Sequence, residues 1–393
     1  MMKKIISLTL VSMIALNAWA RNHSDAEVAG TTATANDGTG SKVYFTKTIT
    51  PESLVSIYEA LGVSAEGKRV AVKISTGESS RSNYLRPEFI KNLVQKLGAN
   101  IVECNTAYGG SRGSTAAHRR VIAERGFNDI AIVDIMDEEG EMQIPVADTK
   151  WIKHDIVGSH LANYDLMLNL AHFKGHAMGG FGGVLKNQSI GVASSSGKVY
   201  IHSAGSRTTG SIWNNNQDSF LESMAAAAQA VHNYFKQEGR NIVYINVMNN
   251  ISVDCDCDGN PATPQLKDIG ILASLDPVAL DKACLDLVFS HQSVAGDDAS
   301  PLIRRIENLH GTHTVEYAEQ IGLGSQNYTL IDLDQLSGIS GAKQDAATRY
   351  NVYSLDGKRL LTNASSLEGL QKGTYIVNYY CPLNMNPRSE HAL

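Results

Sequence analysis

Within fifteen residues, "HFKGHAMGGFGGVLK", the chain places His172, Lys174, His176 and Lys186. Imidazoles bind borderline metals and move protons near neutral pH. Glycines let a backbone approach a ligand closely or turn tightly. These residue types predict His172, His176 and Lys174 as acid–base groups, the two histidines as alternative metal ligands, and Lys186 with Asn187 as substrate contacts. Structural histidines beside packing glycines are the plainer alternative.

A second candidate is "NNISVDCDCDGNP", where Cys255 and Cys257 alternate with Asp254, Asp256 and Asp258. Thiolates beside carboxylates suit a soft or borderline divalent cation, and the aspartates alone suit a hard one such as calcium. The segment lacks the full spacing of a calcium hand, and one Cys-x-Cys is no zinc or iron–sulfur signature. A polar turn, or a disulfide in an oxidising compartment, stays open. Two further stretches are basic: "STGESSRSNYLRP", with Lys73 just before it and Arg81 inside it, and "TAYGGSRGSTAAHRR", with Arg112. Basic side chains near glycines and helix starts favour a carboxylate or phosphate. Asp276 and Asp281 read as a helix cap and a polar helix face.

These residues need elements to position them. "KRVAVKIST", "ANIVECNT", "DIAIVDI", "YDLMLNLAHF", "NIVYINVM" and "DIGILAS" are apolar strand patterns. Helical patterns separate several of them: "RPEFIKNLVQKLG", "TAAHRRVIAERG", "SFLESMAAAAQAVHNYFKQEG" and "DPVALDKACLDLVFSH". The alternation predicts an α/β fold, a parallel or mixed sheet covered by helices on both faces. Ligands bind such sheets at the carboxyl ends of strands, which is where the four candidate stretches fall. From about residue 345, short alternating strands around Asp356-Gly357 predict a small separate β unit.

Lys3 and Lys4, the run "IISLTLVSMIAL" and "AWA" at 18–20 predict a signal peptide over 1–20 and a flexible leader over 21–41. The main domain is then expected over 42–340 and the β tail over 345–393. The mature protein is expected to be extracytoplasmic: periplasmic, secreted or cell-surface. No membrane span is expected after cleavage. A net charge of -6 without basic runs gives no reason to expect nucleic acid. Five cysteines are too few for a disulfide-built scaffold, and an odd number leaves one unpaired within the chain.

Taken together, "HFKGHAMGGFGGVLKN", "DCDC" and "DIGILASLDPVALDKACLDL" resemble the domain of unknown function 362 family, over roughly 69–290. The resemblance implies an α/β domain. The family's recurrent positions fall on His172, Lys174, His176, Gly180, Gly183, Lys186, Asn187, Cys255, Cys257 and Asp276. Many relatives carry a ferredoxin-like cysteine stretch that this sequence lacks, which argues against a ferredoxin-type iron–sulfur cluster. The strand–basic loop–helix opening is similar, more remotely, to the N-terminal domain of nickel-pincer lactate racemases. "VYSLDGKRL" and "LQKGTYIVN" resemble the C-terminal sorting domain of type IX secretion cargo, so that machinery is an expected partner. The last residues, "YYCPLNMNPRSEHAL", depart from the usual short basic end. The expected function is a metal-dependent enzyme acting on a small anionic substrate bound by Lys73, Arg81, Arg112, Lys186 and Asn187. The metal would sit on His172, His176, Cys255 and Cys257. The alternative is a non-catalytic exported metal or anion receptor.

Overall fold

The computed structural model describes residues 40–213, 216–237, 239–337, 349–353, 358–364 and 376–380. The expected signal peptide, nearly all of the leader and the Asp356-Gly357 turn lie outside these residues.

Eight strands form the main sheet, in the order β12-β1-β11-β10-β7-β2-β3-β4. They are β1 (Ser41–Thr46), β2 (Val70–Lys73), β3 (Asn100–Glu103), β4 (Val133–Ile135), β7 (Leu166–His172), β10 (Asn241–Met248), β11 (Gly270–Ser274) and β12 (Tyr328–Asp332). Only β11 runs against the others, so the sheet is mixed. The apolar runs place the central strands correctly. Their side chains alternate between two cores: Leu166, Leu168 and Leu170 face one, Met167 and Ala171 the other. A strand buried on both faces must be apolar throughout, which is why these segments read as runs.

Helices cover both faces. Helices α1 (Pro51–Ala60) and α2 (Pro87–Lys96) contribute Leu54, Ile57, Ile90 and Leu93 to one core. The long α6 (Gln217–Phe235) and α7 (Pro277–Phe289) contribute Phe220, Leu221, Val278 and Leu285 to the other. The expected helix "TAAHRRVIAERG" is α3 (Thr115–Glu124). Two shorter helices belong to the site, α4 (Val184–Ser189) and α5 (Ser195–His202). An additional hairpin pairs β5 (Glu141–Pro145) with β6 (His154–Gly158). In the tail, β13 (Arg349–Tyr353), β14 (Arg359–Ala364) and β15 (Ile376–Tyr380) form an antiparallel sheet of their own. No helix among the described residues is long and apolar enough to cross a membrane.

Candidate functional site

The chain builds outward from β2 through β3 to β4, then returns to the other side of β2 with β7 and β10. A parallel sheet opens a crevice where its strand order reverses in this way. Lys73 ends β2 and Glu103 ends β3. The glycine-rich stretch after β7 forms a hairpin of β8 (Lys174–His176) and β9 (Gly180–Gly182). The "DCDC" loop follows β10. Side chains from all four segments line one cavity of about 170 Å³.

Five cations line this cavity: Lys73, Arg112, Lys174, Lys186 and Lys198. Two of them are paired. Lys174 Nζ lies 2.9 Å from Asp256 Oδ2 and donates to the His172 carbonyl at 2.6 Å. Arg112 lies 3.1 Å from Glu103 and 3.4 Å from Glu78, and donates to the Tyr108 hydroxyl. Burial alone would raise both Glu103 and Asp256. Arg112 and His118 around the first, and Lys174 and His172 around the second, outweigh it and hold both well below the usual carboxylate range.

The other three have no carboxylate within ion-pair distance among the described residues. Lys73 Nζ donates to the Ile74 carbonyl and to Asn187 Oδ1, and Lys198 Nζ donates to the Ala193 carbonyl at 2.5 Å. Lys186 is half-buried, opens on the cavity, and meets no hydrogen-bond partner among the described residues. Burial pushes Lys73 down to about 8. Burial, with Lys174 adding to it, pushes Lys186 down to about 7. An uncompensated ammonium in such a place costs folding free energy, and sites that take an anion are where such groups persist.

The elements explain how Lys186 is held. Gly183 is the N-cap of its helix, α4, and Asp281 of α7 accepts hydrogen bonds from Val184 N at 2.9 Å and Leu185 N at 3.0 Å. Asp281 also accepts from Asn246 Nδ2 on β10 at 2.7 Å. A Cβ at position 183 would overlap the Asp281 carboxylate, so only glycine permits this approach. Asn169 of β7 donates to the Val184 carbonyl at 2.8 Å and accepts from Asn187 Nδ2 at 2.7 Å. Asp281 is therefore a buried anchor for α4 and not part of a polar helix face. Asp276 is the expected cap of α7, accepting from Val278 N and Ala279 N.

The histidines divide. His176 lines the cavity, and its Nδ1 accepts hydrogen bonds from Met178 N at 3.1 Å and Gly179 N at 3.0 Å. Accepting there leaves the ring proton on Nε2, which faces Cys257 Sγ at 3.9 Å. Burial, with Lys186 nearby, pushes His176 well below the ordinary histidine value, so the ring is neutral. His172 corrects the expectation. It is buried, does not line the cavity, and both its nitrogens are engaged, Nδ1 with Asp256 at 2.8 Å and Nε2 with the Asn249 carbonyl at 2.6 Å. Neither nitrogen is left for a metal or a substrate proton. Its work is to hold Asp256 and the "DCDC" loop.

Arg81 is a second correction: it is exposed and lies outside the cavity lining. Its loop instead stitches the cysteine loop in place, with Glu78 N donating to the Asp256 carbonyl at 2.7 Å and Ser82 Oγ to the Asp258 carbonyl at 2.6 Å. Cys255 and Cys257 are joined to each other as a disulfide on the cavity wall. Ligand atoms of His176, Cys255 and Cys257 do lie within 4.8 Å of one another. As they stand, however, the sulfurs are not thiolates and His176 Nε2 carries a proton, so these donors do not fit a divalent cation. The other two cysteines in the main domain, Cys104 and Cys284, are free and buried, and burial raises the Cys104 thiol to about 12.

Lys198 and His202 line the cavity from α5, which sequence patterns did not locate. The signal was present: Ser194 caps "SSGKVYIH", in which Lys198 and His202 sit four residues apart and share a helix face. Glu103 and His118 were also missed, since their pairing joins a strand end to a helix 15 residues on.

A sequence profile of a domain of unknown function, DUF362, matches residues 70–286. No curated protein matches significantly. Among solved structures, the lactate racemase apoprotein from Thermoanaerobacterium thermosaccharolyticum is similar at 13% identity and TM-score 0.38, over 62% of this chain and 56% of that one. A protein from Thermotoga maritima is similar at 12% identity and TM-score 0.37, over 69% of this chain and 58% of that one. The chain thus spans under two thirds of either, and likeness this loose says nothing about chemistry.

Proposed function

The chain belongs to the DUF362 family, and from that premise we propose that it binds a small anionic substrate in the lysine cavity, with Lys186 as the principal anion-holding group. The observation that carries this reading is the set of Lys73, Lys186 and Lys198 in one cavity with no carboxylate within ion-pair distance among the described residues. An anion in their midst offsets the cost of burying them. The volume, about 170 Å³, is below that of drug-sized sites and suits a small carboxylate or phosphate. With its value lowered to about 7, a large share of Lys186 is free amine at neutral pH. That amine takes up a proton as the anion binds, and the ammonium so formed holds it.

The metal-dependent form of the reading is second. It rests on His176, Cys255 and Cys257 and needs the disulfide reduced and the His176 tautomer exchanged. Export belongs to the same proposal: the leader pattern over 1–20 and a disulfide on the cavity wall both suit an oxidising compartment. The tail over 345–393 is proposed to direct sorting.

Trp213 also lines the cavity and reports on it. Titrating sulfate, phosphate and propionate against tryptophan fluorescence should give saturable quenching or enhancement for at least one anion, and none for choline. Lys186→Met should weaken that binding by about tenfold or more, the loss expected for a charge-assisted contact. Absence of saturation with all three anions removes the reading.

A further inference from the structure

We propose that the Cys255–Cys257 disulfide is a thiol–disulfide exchange centre for a small thiol that carries a carboxylate. The proposal rests on the anion cavity described above. Both cysteines line that cavity, as do Lys174 and Lys186. A thiol whose carboxylate is held by Lys186 is therefore confined in the same cavity of about 170 Å³ as the disulfide.

The two sulfurs are not equivalent. Cys255 is buried, and Cys257 is the more exposed of the pair, so Cys257 is the sulfur within reach. Each sulfur has a hydrogen-bond donor already in place. The Cys257 backbone N–H points at Cys255 Sγ, 3.3 Å away. The His176 Nε2–H faces Cys257 Sγ at 3.9 Å, its tautomer fixed by the two backbone N–H groups on Nδ1. Donors of this kind stabilise a thiolate as it leaves.

The chemistry follows in two displacements. The substrate thiolate attacks Cys257 Sγ and forms a new S–S bond. The Cys255–Cys257 bond breaks, and its electron pair leaves on Cys255, which the Cys257 N–H receives. A second thiolate then attacks the substrate sulfur of the mixed disulfide, and the electron pair leaves on Cys257, which the His176 Nε2–H receives. Two substrate thiols are oxidised to one disulfide, and the protein disulfide is reduced to two thiols. The protons released by the substrate thiols balance those taken up by Cys255 and Cys257.

The test compares 3-mercaptopropionate with 2-mercaptoethylamine on the disulfide form of the full chain, with each rate expressed per thiolate. Reduction should be faster with the carboxylate thiol by about tenfold or more, the low end of the effect of charge in a cleft. Lys186→Met should remove most of that preference, and acid quenching followed by mass spectrometry should find the mixed disulfide on Cys257. Equal rates for the two thiols, or a mixed disulfide on Cys255, overturn the proposal. Propionate, which has no sulfur, separates the two ideas. If propionate binds and the rates are equal, exchange falls and the anion cavity stands. If sulfate, phosphate and propionate all fail to bind and the carboxylate preference is also absent, the cavity reading falls with it.

Discussion

An ammonium withdrawn from water without a partner destabilises the fold that contains it, and half-buried Lys186 meets no partner among the described residues. Its value falls from 10.5 to about 7 on folding, chiefly through burial. Between those values the folded chain binds fewer protons than the unfolded chain, so stability rises with pH through that window and is lowered at and below its acid end. Lys186→Met should therefore stabilise the protein at pH 7 while impairing anion binding. The gain should be on the order of 2–4 kcal/mol in urea unfolding; a variant less stable than the parent contradicts the account. His172 should behave in the opposite way. Bound to Asp256 and the Asn249 carbonyl, it holds a buried carboxylate. His172→Ala should cost about 2–4 kcal/mol in the same assay, the penalty for leaving a buried charged partner short of a donor. Sequence alone could pick out both histidines by type, but it could not tell them apart. Their difference lies in contacts with residues 77–84 positions distant.

At the scale of elements, two motifs that look separate in sequence are one structure. The glycine-rich turn before Lys186 and the "DPVALD" helix meet where Asp281 accepts the first N–H groups of α4. This contact predicts a contrast between two aspartates of one helix. Asp276→Ala removes a cap and should cost about 1 kcal/mol with little effect on anion affinity. Asp281→Ala leaves two backbone donors and Asn246 unsatisfied, and should cost about 2–4 kcal/mol while also weakening anion binding. Urea unfolding and fluorescence titration of both variants check this; equal effects on affinity would refute the anchoring role. The central strands and longer helices were legible because apolar runs and cap residues are local signals. Helix α1 carries an equally local signal, the Thr50–Pro51 start with Thr50 forming a capping box. Strand β12, only half-buried, gives no apolar run to read.

At the scale of the whole molecule, charge is distributed in a way that composition conceals. The chain is acidic, at -6, yet its cavity gathers five cations. That convergence was legible only as a rule about strand ends, since strand order is fixed by pairing between distant segments. Elsewhere, Asp155 is fully buried on β6, and neither of its carboxyl oxygens makes a well-formed hydrogen bond among the described residues. Burial raises it from 3.8 to about 7, despite the attraction of Lys198. Here the folded chain binds more protons than the unfolded one, so stability is lost as pH rises from about 4 to about 7. Asp155→Asn should flatten that part of the stability–pH profile and be the more stable protein at pH 8, on the order of 2–4 kcal/mol. An unchanged profile would mean that Asp155 is solvated.

Lysines whose values lie near 7 and 8 should make anion binding a proton-linked event. Isothermal titration calorimetry with sulfate tests this most directly, because the charge of sulfate does not change between pH 6 and pH 9. The account predicts one site per chain, affinity that falls as pH rises through about 7 and then about 8, and proton uptake on binding near pH 8, seen by comparing buffers of different ionisation enthalpy. Lys186→Met should lose most of that proton uptake. Sulfate that binds with the same affinity at pH 6 and pH 9 without taking up protons, or a failure of sulfate, phosphate and propionate alike to bind, would contradict the claim that this cavity is built for an anion.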